Sequence, residues 1–144
     1  MLVQGETLAR IGDVAGARRA LRAAVSAWPE GHGASPSSNY PADRARTNTW
    51  PRAVLADALW QAGQTDTVAL AILADSIQSM GAQSYYGRDW RLYHHIRGLL
   101  AMSEAHWAQA ETELGRARWE HAAWTRTLVE RSNAQLAQGH HADA

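Results

Sequence analysis

The sequence predicts an all-α fold, a helical-hairpin α-solenoid of about seven helices. Two observations carry this. Apolar residues recur at helical spacing, and no stretch alternates with period 2. One spacing also occurs four times: a small residue in an apolar run, a turn residue seven positions on, and a small or β-branched residue five positions after that. The sets are Gly5, Gly12 and Ala17; Ala56, Gly63 and Val68; Gly98, Ala105 and Ala110; and Ser132, Gly139 and Ala144. A short helix, a tight turn and a second helix give this register, with small residues where two helices cross closely.

In chain order, the first helix is expected from Met1 to about Ile11, with Leu2, Leu8 and Ile11 on one face. Gly12 turns the chain, and Asp13 caps a helix reaching about Ala27, with Val14, Ala17, Leu21, Ala24 and Val25 inward. Pro29, Gly31 and Gly33 end it and open a loop running through Pro36, Asn39 and Pro41. Ala42 to Thr47 allows one helical turn. Thr49 reads as the next N-cap, with Pro51 in the first turn.

That helix is expected to reach about Ala62, turning Val54, Leu55, Ala58 and Leu59 inward. Its partner runs from about Asp66 to Met80 on Val68, Ile72, Leu73 and Ile77; a one-residue slip would turn Ala69 and Leu73 inward instead. A short insertion from Gly81 to Arg88 follows. Asp89 then caps a helix to about Ser103 built on Trp90, Tyr93, Ile96, Leu99 and Leu100. Trp107 to Glu120, with Ala110, Leu114 and Ala117 buried, and Trp124 to Gln138 complete the set. After Gly139, the residues to Ala144 supply less than two turns of a further helix, so the chain reads as an excerpt of a larger protein.

Composition narrows the chemistry. At 144 residues and 46% hydrophobic content, the chain can build one domain with a real core. Formal net charge is zero, which argues against electrostatic capture of nucleic acid or an anionic membrane. All 14 basic residues are Arg, the mark of a GC-rich genome. Without Lys there is no Schiff-base chemistry and no phosphate-binding Lys loop. Without Cys there are no disulfides, thiolate metal sites or Cys nucleophiles. No apolar run approaches the length of a membrane span, and Met1–Glu6 lacks a basic, apolar leader, so the expected location is cytoplasmic.

The repeated spacing resembles the tetratricopeptide repeat, a helix-turn-helix unit of 34 residues. Gly5, Leu8, Ala17, Leu21, Ala24 and Pro29 fit its order of residue sizes, as do Gly98, Ala101, Ala110, Leu114 and Ala117 without the proline. Gly98 to Ser132 spans one period, while the two earlier intervals exceed it by 17 and 8 residues, where the Pro/Gly-rich loop and the Tyr85-Tyr86-Gly87 segment fall. The second unit departs from the pattern, with Asp75 where a small apolar residue is expected. The expected organisation is a single domain over residues 1–144, with repeats at about 1–29, 49–80, 89–122 and an incomplete 123–144. Insertions are expected at about 30–48 and 81–88. Sel1-like and other helical-hairpin repeats share much of this pattern.

The resemblance implies a concave groove lined by the first helix of each hairpin. Residue by residue, it assigns to that groove Trp50, Asp57, Trp60 and Gln61 of the second unit and Leu92, His95, Leu99 and Met102 of the third. Arg126, Val129, Asn133 and Leu136 of the fourth complete it. A groove mixing Trp, His, Arg and Asn suits an extended peptide, with aromatic surface supplying affinity and amides holding its backbone. Alternatively, the groove is filled by a neighbouring segment of a longer parent. Tyr85, Tyr86, Arg88 and Trp90 form a second candidate contact, on a loop, unless the Tyr rings tuck over the adjoining hairpin. The Asp and Arg neighbours there read as a surface pair.

Seven His residues invite a metal reading, but no two are three or four apart. Adjacent pairs such as His94-His95 point in different directions on a helix and do not chelate one ion. No serine-hydrolase elbow, nucleotide fingerprint or convergent carboxylate pair is present. The expected function is therefore a non-catalytic protein- or peptide-binding scaffold without cofactor or metal, and without nucleic-acid or membrane partners. The alternative is a structural or regulatory segment of a larger bacterial kinase or transcriptional regulator, touching neighbouring domains of the same parent chain. A His-based metal enzyme is the remote third.

Overall fold

Wherever the repeated spacing sets a turn residue, the backbone passes through the left-handed region. Gly12, Gly63 and Gly139 have φ of 83°, 68° and 80°, and Ala105 has φ of 57°. Three of these turns close with the same long bond: Asp13 N–H donates to Leu8 O, His106 N–H to Ala101 O, and His140 N–H to Gln135 O. That is the Schellman arrangement, which satisfies carbonyls orphaned at a helix end. The computed structural model describes residues 4–5, 7–8, 11–27, 41–63, 66–119 and 122–140, and it is all-α.

Six α-helices have full bounds among the described residues, against about seven expected. They are α1 (Val14–Ala27), α2 (Pro41–Gln61), α3 (Thr67–Gly81), α4 (Arg91–Ser103), α5 (Trp107–Arg116) and α6 (Thr125–Ala137). Gln4, Gly5, Thr7 and Leu8 are helical as well. Each helix packs on its neighbours in sequence, and α4 also touches both α2 and α6. Asp13 opens α1 as expected, its Oδ1 accepting from Gly16 N–H at 2.8 Å, and Asp66 caps α3 through Ala69 N–H at 3.0 Å.

Three apolar clusters fill the contacts. Ala53, Ala56, Leu70, Ala74, Ile77, Leu92, Ile96 and Leu100 join α2, α3 and α4. Ala17 packs with Val54, Leu55, Ala58 and Leu59, and Ala101, Met102, Ala110, Leu114 and Ala134 join α4, α5 and α6. Each fully buried Leu or Ile contributes roughly 1.5–3 kcal/mol. Gly98 is the tightest crossing: a Cβ there would lie 2.4 Å from Leu114 Cγ, which is why the position carries no side chain.

The structure corrects several expectations. The turn allowed at residues 42–47 is helical but belongs to α2, so no insertion separates residues 41–48 from it and Thr49 is no cap. α2 runs unbroken through Pro51, and Thr49 is buried inside it. Pro51 removes the N–H that would bond the Thr47 carbonyl. Side chains serve carbonyls of the same turn, with Thr49 Oγ1 donating to Arg46 O at 3.2 Å and Arg52 Nη1 to Asn48 O at 2.7 Å. In α3 the buried stripe is Leu70, Ala74, Ile77 and Gly81, whereas Val68 and Ile72 are 68% and 61% exposed. The inward assignment of those two, and of the exposed Ile11, is wrong.

Two further corrections lie around the third hairpin. Asp89 does not cap α4. It sits in a 3₁₀ segment, Tyr85–Trp90, that precedes the helix, and it is fully buried. α5 stops at Arg116 instead of reaching Glu120, because Ala117 leaves the helical region with ψ of 38°. The chain then makes a two-residue antiparallel ladder, Arg118–Trp119 (β1) with Ala122–Ala123 (β2). The expectations for Leu2, for residues 29–40, for the side chains of Val14, Leu21, Ala24 and Val25, and for the chain beyond His140 lie outside the described residues.

Candidate functional site

The facing sides of α2, α4 and α6 carry polar side chains, and these find one another. Arg126 of α6 is the hub. Its Nε donates to Asp57 Oδ2 at 3.1 Å and Oδ1 at 3.3 Å, and its Nη2 donates to Glu130 Oε1 at 2.9 Å. Gln61 Nε2 donates to Asp57 Oδ2, and Asn133 Nδ2 donates to Glu130 Oε2 at 3.1 Å. The two carboxylates are buried, Arg126 is partly exposed, and the Gln61 and Asn133 residues at the ends of the network are exposed. Burying a carboxylate is costly unless it is paired and hydrogen-bonded, and each acid here accepts at least two such bonds.

His95 extends the network inward. It is wholly buried, with Nδ1 3.0 Å from Thr127 Oγ1 and Nε2 3.6 Å from Asp57 Oδ1. A proton on Nε2 facing Asp57, with the Thr127 hydroxyl donating to Nδ1, suits both contacts. Carboxylate, imidazole and hydroxyl thus stand in the order of a nucleophile relay. Thr127 is buried, however, and lines neither of the two clefts described below. Among the described residues no three His, Asp or Glu side chains are placed to hold a metal ion.

A second polar centre lies at the 3₁₀ segment. Asp89 N–H donates to Ser84 Oγ at 2.9 Å, while Asp89 Oδ1 accepts from Trp50 Nε1 at 3.1 Å and from Arg46 Nη1 at 3.4 Å. Arg88 Nε lies 4.0 Å away. Arg46 and Arg91 both stand over the Trp50 ring, at 5.5 Å and 5.7 Å from its centroid. Burial holds the Arg91 guanidinium below its usual pKa, and Asp89 opposes that shift, whereas Arg46 and Arg88 add to it. Asp89 is therefore a buried anchor and not the surface pair expected.

Of the twelve groove residues the sequence predicted, Leu92 and Leu99 are instead buried in the core, Val129 and Leu136 are exposed on α6, and the other eight divide into three groups. Asp57, Gln61, His95, Arg126 and Asn133 meet in one network. Trp60 and Met102 belong to the apolar cluster of α4, α5 and α6, Trp60 partly buried and Met102 buried. Trp50 leaves both for Asp89 and is linked to the first network through Trp124, which lies 5.8 Å from Trp50 and 4.9 Å from His95. Of the loop candidates, Tyr86 is 89% exposed at a left-handed φ of 54°, Trp90 is exposed and stacks on Tyr93 at 6.3 Å, and Arg88 is half-buried. The Tyr85 side chain lies outside the described residues.

Sequence reasoning missed Thr127 and Glu130, although Arg126 and Glu130 are a readable i, i+4 pair of opposite charge. It also missed two clefts. One, of about 380 Å³, lies between α1, α2 and α3 and is lined by Arg18, Arg22, Leu55, Leu59, Ile72 and Leu73 among others. The other, of about 180 Å³, is lined by residues of α3, α4 and α5, including Ala71, Arg97 and Glu104. None of the predicted site residues lines either.

What these sites define is an all-α chain whose helices pack on their neighbours in sequence, with a polar network joining α2, α4 and α6. No family model, curated protein or solved structure matches the chain. No helix among the described residues is long and apolar enough to cross a membrane.

Proposed function

We propose that the chain is a non-catalytic protein-binding module, a tetratricopeptide-like solenoid that holds an extended peptide along the face shared by α2, α4 and α6. One observation carries the reading: the Asp57–Arg126–Glu130 network ends in the exposed amides of Gln61 and Asn133. An amide side chain offers both a donor and an acceptor, which is what a peptide backbone in a groove needs. The carboxylates behind them hold the amides in place, so little rotamer freedom is lost on binding. Val129 and Leu136 stand exposed on the same helix as Asn133 and offer apolar contact beside them.

Selection from a displayed random-peptide library, followed by fluorescence anisotropy, tests this. Gln61→Ala with Asn133→Ala removes two hydrogen-bonding groups, at about 0.5–1.5 kcal/mol each, so selected peptides should bind roughly tenfold more weakly. The exposed Gln78→Ala on α3 is the control and should change nothing. Peptides that the double variant binds as tightly as the wild type would move the site elsewhere.

A further inference from the structure

The cleft between α1, α2 and α3 combines an apolar wall with an excess of positive charge. Leu55 and Leu59 of α2 are buried along it, and Leu73 and the largely exposed Ile72 of α3 line it too. From α1 come Arg18 and Arg22, one helical turn apart and so on one face. Arg18 Nε is buried with no hydrogen-bond partner, and among the described residues neither arginine pairs with a carboxylate. The remaining acid in the lining, Asp66, already caps α3 through Ala69 N–H, so two guanidiniums face one engaged carboxylate.

An unpaired buried donor is costly, and a guanidinium is most fully satisfied by a carboxylate, which accepts from its fork in two places. The volume of about 380 Å³ falls in the range of small-molecule sites. We infer that this cleft binds an amphipathic carboxylate, its apolar chain on Leu55, Leu59, Ile72 and Leu73 and its head group on Arg18, with Arg22 beside it. A cationic amphiphile meets two like charges there. A neutral one finds the same wall but leaves Arg18 unsatisfied. This site is independent of the peptide face, to which α2 presents Asp57 and Gln61 instead.

Isothermal titration of the full chain with decanoate, decanol and decylamine tests the assignment. Decanoate should bind saturably at one site, more tightly than decanol, and decylamine most weakly. Arg18→Gln should weaken decanoate at least tenfold and leave decanol within about twofold of the wild type. Arg22→Gln, at an exposed position, should weaken decanoate in the same direction and serves if Arg18→Gln melts early by circular dichroism. Ala69→Phe places a ring in the cleft and should abolish binding of both decanoate and decanol. Absence of saturable decanoate binding overturns the inference. So does decanoate affinity unmoved by either Arg variant or by Ala69→Phe, and so does decylamine binding as tightly as decanoate.

Discussion

Ala105 occupies a backbone conformation that glycine holds at the three equivalent turns. Its φ of 57° crowds a Cβ against the following carbonyl, a cost of roughly 1–2 kcal/mol for an L-residue. Glycine removes that crowding but loses more entropy on folding, about 0.5–1 kcal/mol relative to Ala. The balance favours Ala105→Gly by about 0.5–1 kcal/mol, which should raise the melting temperature by about 2–4 °C. Gly98 is the converse case. Gly98→Ala drives a Cβ into Leu114, itself fully buried, and should cost about 1–3 kcal/mol in urea unfolding. Both positions were legible in the sequence, because a turn residue and a close crossing each restrict residue size at a fixed offset. A rise in stability for Gly98→Ala would remove the packing basis of the third hairpin.

At the scale of elements, legibility failed where two arrangements suit the same residues. Between Thr67 and Leu73 α3 is apolar on nearly every side, so Val68 with Ile72 and Leu70 with Ala74 are both plausible stripes. The partners α2 and α4 choose between them, and sequence periodicity alone does not. α2 was misread for another reason. A proline inside a helix removes one N–H, here the partner of Thr47 O, and the packed turns on either side of Pro51 keep α2 continuous across it. Between α5 and α6 the clip is Glu111, which accepts from Gln135 Nε2 at 2.9 Å and Gln138 Nε2 at 3.0 Å. The hydrogen bond from Gln135 is the largest cause holding its pKa below the usual 4.5, helped by Gln138, Arg131 and His140 and opposed by partial burial. A folded-state pKa below the unfolded one means that the unfolded chain binds more protons. The contribution is therefore complete above about pH 4.5 and disappears as pH falls through the folded value. Glu111→Gln should flatten that part of the stability–pH curve, read from urea midpoints across the acid range. An unchanged acid slope would mean that the clip contributes nothing to folding.

Across the whole molecule, the connection that no local pattern revealed is the joining of α2 to α6 through Arg126. Asp57 and Arg126 are 69 residues apart, and sequence reasoning set them on a common face only through the repeat register. Their direct bonding is made by side chains, because α2 and α6 share little contact of their own and meet where both reach α4, which periodicity does not specify. The energetics distinguish a scaffold network from a free binding surface. Arg126→Gln leaves the buried Asp57 and Glu130 carboxylates without their common counter-charge. Loss of one partner from a buried ion pair costs about 3–5 kcal/mol, and the partial exposure of Arg126 sets the expectation at about 3 kcal/mol. Neutralising all three groups together, as Asp57→Asn, Arg126→Gln and Glu130→Gln, removes the unpaired charges and should recover most of that loss. Urea unfolding of the single and triple variants at neutral pH measures both. A single variant costing less than about 1 kcal/mol would show that water screens the network as it does a surface pair, and the amides of Gln61 and Asn133 would then lack the rigid support that peptide binding along this face requires.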